Sequence, residues 1–290
     1  VAAAATGPRV APLDGIRVLD LTAWWAGPSA TATLAAFGAD VIHVESTGHP
    51  DGIRMSGAAF IDRPHWWELA GIFLGANTNK RGITLDLRDP RGRDLLLRLV
   101  EHCDLVVENF TPRVLEQLDL GWEVIHAANP NAVMVRMPAF GLTGSWRDRP
   151  GFAQTMEQLT GLAWVTGFED DQPRIQRGPC DPNAGMHAVV ATLAALHHRD
   201  LTGTGCLVEV PMVEAALGVA AESVIEWTAY GHRLGRMGNG SWRSVLQGLY
   251  RCAGNDEWLA LAVRTDAESD ALDRAIGGHD DAAVAAWAAE

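Results

Sequence analysis

Asp181 lies in the stretch RGPCDPNAGMHAVVATLAALHHR, Arg177 to Arg199, just ahead of small and apolar helix formers running from Asn183 to Leu196. A carboxylate so placed is a candidate nucleophile. The spacing predicts a buried helix with Asp181 at its N-cap, Pro182 at the first helical position, and His197, His198 and Arg199 in the last turn. Backbone N–H groups and the positive end of the helix dipole would then keep the carboxylate ionised and nucleophilic. The same pattern is also that of an ordinary helix cap, so it gains meaning only from the rest of the chain. Other reactive groups form no constellation. Cys103, Cys180, Cys206 and Cys252 are far apart without a C-x-x-C pair, and the histidines are scattered. These features predict reduced thiols in a cytoplasmic protein and no metal site.

The elements that must position Asp181 follow from size and pattern. A chain of 290 residues predicts one large domain or two unequal ones. An apolar share of 48% with a mean hydropathy near zero fits a globular protein, and no apolar run approaches the roughly 20 residues that span a bilayer. The formal charge of -13 argues against nucleic acid or an anionic membrane as partner, so an anionic ligand would need a local basic pocket. Lys80 is the only lysine, and the abundance of arginine reads as compositional drift. The opening VAAAATGPRVAP carries no secretory signal, and residues 1–12 read as a linker or a trimmed terminus.

The segment GIRVLDLTAWWAGPSATATLAAFGADVIHVES reads as strand Ile16 to Leu21, turn Trp24 to Pro28, helix Ser29 to Phe37 and strand Val41 to Glu45. This βαβ unit predicts a parallel sheet. The glycine fingerprint of a dinucleotide site is missing, and Trp24 and Trp25 stand where backbone would have to approach a pyrophosphate. A loop rich in Gly, Pro and Trp follows. Further strands are expected at Ile83 to Leu87, Asp104 to Glu108, Ala132 to Arg136 and Leu207 to Val210, with helices between them, among them Arg91 to His102. Asn109 and Phe110 fall just past the carboxyl end of one strand, where open parallel sheets bind ligands, although they also suit a turn and a packed loop. Beyond about Tyr230 the texture changes to a hairpin, Gln247 to Arg251 and Trp258 to Val263, then two short helices.

Taken together, LDGIRVLDLTAWWAGPSATATLAAFGADVIHVE, NTNKRGITLDLRDPRGRDLL, LVVENFTPRVLEQLDL, FGLTGSWRDRPGF, CDPNAGMHAVVATLAALHHRDLTGTGCLVEVPM and QGLYRCAGNDEWLAL resemble the class III CoA-transferase family, in order and with family-like spacing from Leu13 to about Val263. The resemblance implies an α/β fold: a Rossmann-like parallel-sheet large domain over 13–229 carrying the CoA site, and part of a second, smaller domain over 230–290. It implies an interlocked dimer, either a homodimer or a heterodimer with a related chain, and a family C-terminal segment that is expected to be absent here. The substrates would be an acyl-CoA and a carboxylic acid, coenzyme A being substrate rather than a tightly bound cofactor. Asp181 matches the family nucleophile, which forms a mixed anhydride and then an aspartyl-CoA thioester. Asn79, Lys80 and Arg81 match a basic turn, Asn109 and Phe110 a segment lining the CoA site, and Arg54 a weaker D-x-x-R-like match. Gly238 and Gly240 match a glycine loop that covers the site.

The departures from the family pattern carry information too. Gly151-Phe152-Ala153 stands where a racemase branch carries G-H-D, so an acyl-CoA racemase, the first alternative, has no visible second base. Trp24 and Trp25 precede A-G-P where a polar residue is common, Gln117 stands in place of an arginine, and His43 in place of a lysine. The tryptophan pair points to a bulky, apolar acyl group. A non-catalytic structural subunit of a heteromeric CoA-transferase is the other alternative.

Overall fold

The computed structural model describes residues 11–290, so residues 1–10 of the expected terminal linker lie outside the described residues. In chain order the elements are β1 (Arg17–Asp20), α1 (Ala26–Ala36), β2 (Asp40–Glu45), two 3-10 stretches (Gly52–Phe60 and Trp66–Glu68), α2 (Gly71–Ala76), β3 (Lys80–Thr84), α3 (Pro90–Val100) and β4 (Leu105–Glu108). There follow α4 (Pro112–Gln117), α5 (Trp122–Ala128), β5 (Val133–Arg136), α6 (Ala153–Leu159), α7 (Leu162–Val165), α8 (Cys180–Thr202), β6 (Leu207–Glu209), α9 (Met212–Val219) and α10 (Ala221–Tyr230). The chain continues through β7 (Leu246–Arg251), β8 (Trp258–Val263), α11 (Asp266–Ile276) and α12 (Asp281–Ala288).

Two compact units result. The larger holds the described residues up to Thr160 together with Gln176–Ala221, and the smaller holds Gly161–Ile175 and Glu222–Glu290. The division therefore falls after Ala221 rather than at 229/230, and a short internal stretch goes with the smaller unit.

The larger unit is built on one parallel sheet in the order β3-β2-β1-β4-β5-β6. Strands β4 and β5 are buried along their whole length, as expected of central strands covered on both faces. Leu19, Val106 and Met134 form one core with Leu96, Val100, Leu115 and Ile125 of α3, α4 and α5. Helix α8 packs along α1 and touches β5 and β6. The approach of α1 to α8 depends on Gly185, where a Cβ would come within 2.8 Å of the Ala26 carbonyl oxygen. The strand order reverses at β1, between β2 and β4, which creates the crevice where such sheets take ligands.

Three elements differ from expectation for physical reasons. Strand β3 begins at Lys80 rather than Ile83, with Lys80 opposite Val41 of β2, because the Lys80 ammonium is drawn into the core by Asp20. Helix α1 begins at Ala26 rather than Ser29, so Pro28 lies inside its first turn, where a missing N–H costs no helical bond. The loop after β2 is more regular than its composition suggests, with its two 3-10 stretches and α2.

The smaller unit contains the antiparallel hairpin β7–β8, with Leu246 opposite Val263 and Arg251 opposite Trp258. Its core is Leu246, Tyr250, Val263, Val284 and Ala288. The Tyr250 hydroxyl donates to Asp281 at 2.7 Å and ties β7 to α12.

Candidate active site

Asp181 is the second residue of α8, not its cap. The helix opens at Cys180, and Pro179 holds the cap position without a side-chain hydrogen bond. Pro182 brings no amide, while those of Asp181 and Asn183 donate to the carbonyls of Gly178 and Pro179. The carboxylate therefore lacks the backbone donors expected of a cap. Its Oδ1 is buried without a hydrogen-bond partner, and the residue is 8% exposed. Burial first, and then the charge of Glu157, push the Asp181 carboxyl up to about 6. This corrects the expectation that the helix start keeps it firmly ionised: desolvation and a neighbouring anion outweigh the dipole.

Glu157 is the residue that sequence reasoning missed. It sits on α6, fully buried, with Oε1 accepting from the Gly178 amide at 2.8 Å and Oε2 from the Gln176 amide at 2.9 Å. A carboxylate thus anchors the backbone that leads into Asp181. The only signal of Glu157 in the sequence was its place beside Met156 in a helical segment of mixed polarity, AQTMEQL, which does not mark it as buried. Cys180 lies beside the pair, and burial together with these two carboxylates pushes its thiol up to about 11.

The β1–α1 turn reaches the same region. Asn109, after β4, accepts from the Ala23 amide at 2.9 Å and donates to the Ala23 carbonyl at 2.8 Å, pinning the turn. Trp25 packs on Gly178, where a Cβ would fall 2.8 Å from its ring. Trp24 takes a left-handed backbone (φ 67°), covers Gly52, and meets Phe152 edge to face at 5.1 Å between ring centres. Both rings remain nearly half exposed. Aspartate Asp51 holds the Trp24 amide at 2.8 Å.

A cavity of about 630 Å³ opens at the carboxyl ends of β1, β2, β3 and β4, lined in part by Trp24, His43, Asp51, Leu87, Arg88 and Phe110. Two buried polar atoms in its lining residues, His43 Nε2 and Asp51 Oδ2, have no hydrogen-bond partner. Burial raises the Asp51 carboxyl above its ordinary value. Arg88 is exposed here, and among the described residues its guanidinium forms no ion pair. Phe110 also lines the cavity.

The basic turn is placed differently from expectation. The Lys80 ammonium is buried, 3.0 Å from Asp20 Oδ2, and also donates to the Pro28 carbonyl and Asn77 Oδ1. Asp20 additionally accepts from Thr22 and Thr31 and meets His43 Nδ1 at 3.2 Å. Although burial opposes it, Lys80 with His43 and Thr22 hold the Asp20 carboxyl far below the usual range. Lys80 is therefore the counter-ion of a buried carboxylate rather than a free phosphate contact. Asn79 shapes the turn with φ 61°, and the exposed Arg81 pairs with Asp40 at 2.5 Å. Arg54 is likewise occupied: it binds Glu45 through two nitrogens at 2.7 and 2.8 Å and Glu68 at 2.9 Å, and lies over the Phe73 ring. Gly238 and Gly240 belong to the smaller unit, where Phe168 packs on Gly238 and both glycines border a hollow beside β7 and β8. Among the described residues no group of His, Cys, Asp and Glu could hold a metal ion, and no helix is long and apolar enough to cross a membrane.

Comparison with known proteins bears on this arrangement. The chain is 38% identical over 268 residues to a succinyl-CoA–D-citramalate CoA-transferase of Chloroflexus aurantiacus, covering 92% of this chain and 65% of that protein. It is 34% identical over 273 residues to the alpha subunit of a succinyl-CoA–L-malate CoA-transferase of the same organism, covering 93% and 63%. The chain thus spans less than two thirds of the length of these curated relatives. The crystal structure of a CAIB/BAIF family protein from Brucella suis superposes with a TM-score of 0.82 at 32% identity, over 93% of this chain and 70% of that one. The model of CoA-transferase family III matches residues 13–290, and the chain belongs to that family.

Proposed function

We propose that this chain carries the nucleophile and the acyl-CoA site of a CoA-transferase, with Asp181 forming the covalent intermediates. The observation that carries the reading is Asp181 itself: a buried carboxylate on the first turn of a long helix, with one oxygen unpartnered. Such an oxygen is poorly solvated and correspondingly nucleophilic. It attacks the thioester carbonyl carbon, the C–S bond breaks, and the CoA thiolate leaves with the electron pair. The thiolate then attacks the aspartyl carbonyl of the mixed anhydride, releasing the donor carboxylate and leaving an aspartyl-CoA thioester. A second carboxylic acid reverses the two steps.

The cavity at the carboxyl ends of the strands suits the CoA arm. Arg88 offers a cation for phosphate, Phe110 an apolar wall, and His43 Nε2 and Asp51 Oδ2 polar partners for the amides of a pantetheine chain. Trp24 and Phe152 present aromatic surface for a bulky, apolar acid. The citramalate and malate relatives support a small dicarboxylate as the second reading of the acid. Phe152 stands where a racemase would need a base, which disfavours α-proton exchange. The relative named as an alpha subunit supports assembly with a second, related chain, and the free cysteines suit the cytoplasm.

Incubation with succinyl-CoA and with aromatic or branched acyl-CoAs, followed by intact mass, should reveal a hydroxylamine-sensitive adduct that maps to Asp181 and is lost in Asp181→Asn. No adduct with any thioester, under conditions where CoA binding is measured, would overturn the reading. Which thioester labels fastest decides between the two acids.

A further inference from the structure

The loop Gln176 to Gly178, which feeds α8, is held from beneath by one side chain. Both oxygens of Glu157 are committed to it, one on the Gly178 amide and one on the Gln176 amide, and the residue is fully buried. Three residues past Gly178 stands Asp181, whose Oδ1 has no partner. A glutamine would fit the same space, yet its NH₂ group cannot accept a backbone N–H. The clamp therefore needs a carboxylate, and an anionic one places like charge beside Asp181.

The other elements packed on α8 offer little to offset that charge. Helix α1 carries no ionisable side chain, Arg136 of β5 is engaged by Glu108 at 2.6 Å, Glu209 of β6 accepts the Leu142 amide, and α9 contributes only Glu214. On α8 itself the neighbour is Cys180, with its thiol held protonated. After burial, the charge of Glu157 is what raises the Asp181 carboxyl.

We propose that Glu157 is a positioning residue that acts through Asp181, fixing the entry of α8 and destabilising the free Asp181 anion relative to its acylated form. In the attack, negative charge leaves Asp181: the new C–O bond neutralises the carboxylate while the departing thiolate takes the electron pair. Repulsion from Glu157 is relieved in that step, so the anhydride and the aspartyl thioester are favoured over the free carboxylate. The inference rests on Asp181 being the nucleophile, but its electrostatic half can be read without turnover.

The test is a titration of the aspartate side-chain carbons by NMR on the intact chain, with the Asp181 signal identified by its loss in Asp181→Asn. The wild-type midpoint is expected near 6, and Glu157→Gln should lower it by about one pH unit, while Glu157→Asp, which keeps the charge, should hold it close to wild type. The same three proteins, given a thioester, should show the acid limb of adduct formation moving with the midpoint. An unchanged midpoint in Glu157→Gln overturns the proposal, whether or not any adduct forms. A shifted midpoint with no adduct in the wild type would sink the catalytic reading alone. Should Glu157→Gln fail to fold, the Glu157→Asp protein and the wild-type midpoint still decide, because a wild-type midpoint at the ordinary aspartate value overturns the inference.

Discussion

Removing the charge of Asp181 should stabilise the fold. Its carboxyl titrates near 6 in the folded chain against an ordinary 3.8, so between those values the folded state keeps a proton that the unfolded chain has released. Stability therefore falls as pH rises through this window. Asp181→Asn should be more stable than wild type by roughly 1–3 kcal/mol at pH 8, with the gain vanishing toward pH 4. Denaturation curves across that range check the sign, and an equal gain at every pH would count against it. Lys80 behaves in the opposite way. Lys80→Met leaves Asp20 buried without its counter-ion, a loss of roughly 3–5 kcal/mol, whereas Arg81→Ala on the surface should cost no more than about 1 kcal/mol. If Lys80→Met kept its stability and lost only CoA affinity, the ammonium would be a phosphate contact after all. Asp181 could be singled out because Asp-Pro ahead of an apolar run is a local pattern and the segments on both sides resemble one family. The burial of Lys80 and the role of Glu157 were not, since each depends on a partner brought close only by the fold: Asp20 on a different strand and Gly178 beyond α7.

Two helical glycines give opposite expectations at the scale of the element. A Cβ at Gly185 would lie 2.8 Å from the Ala26 carbonyl oxygen and 3.1 Å from the Ala30 amide, both backbone atoms that cannot step aside. Gly185→Ala should cost about 1–3 kcal/mol despite the better helix propensity of alanine, and should loosen α1 against α8. At Gly218 on α9 the nearest atom is His187 Nε2 at 3.8 Å. Gly218→Ala should therefore gain up to about 1 kcal/mol. Paired urea titrations test the contrast, and two changes of the same sign would contradict it. All six strands of the sheet and the β7–β8 hairpin could be read from apolar runs bounded by turn residues. The offset of β3 could not, because its start is fixed by an ion pair and not by the hydrophobic pattern. The starts of α1 and α8 were missed by three and two residues, since proline inside a first turn looks like a boundary in sequence.

The two units should also differ in how readily they open. The larger buries β4 and β5 completely, while the hairpin of the smaller unit rests on a small cluster, Leu246, Tyr250, Val263, Val284 and Ala288. Hydrogen exchange should be slowest in β1, β4 and β5 and clearly faster in β7 and β8, and equal protection across both would contradict this. Sequence texture located the smaller unit but not the attachment of Gly161–Ile175 to it, because that assignment lies in contacts rather than composition. The excursion has a consequence during synthesis on the ribosome. Strand β6 is the outer neighbour of β5, yet Leu207 is made 71 residues after Arg136. At about 5–20 residues per second, β5 waits roughly 4–14 seconds with a Val-Met-Val edge unpaired. Nascent chains arrested before Leu207 should then be cut by protease, and captured by holding chaperones, more readily than chains arrested after β6 has emerged.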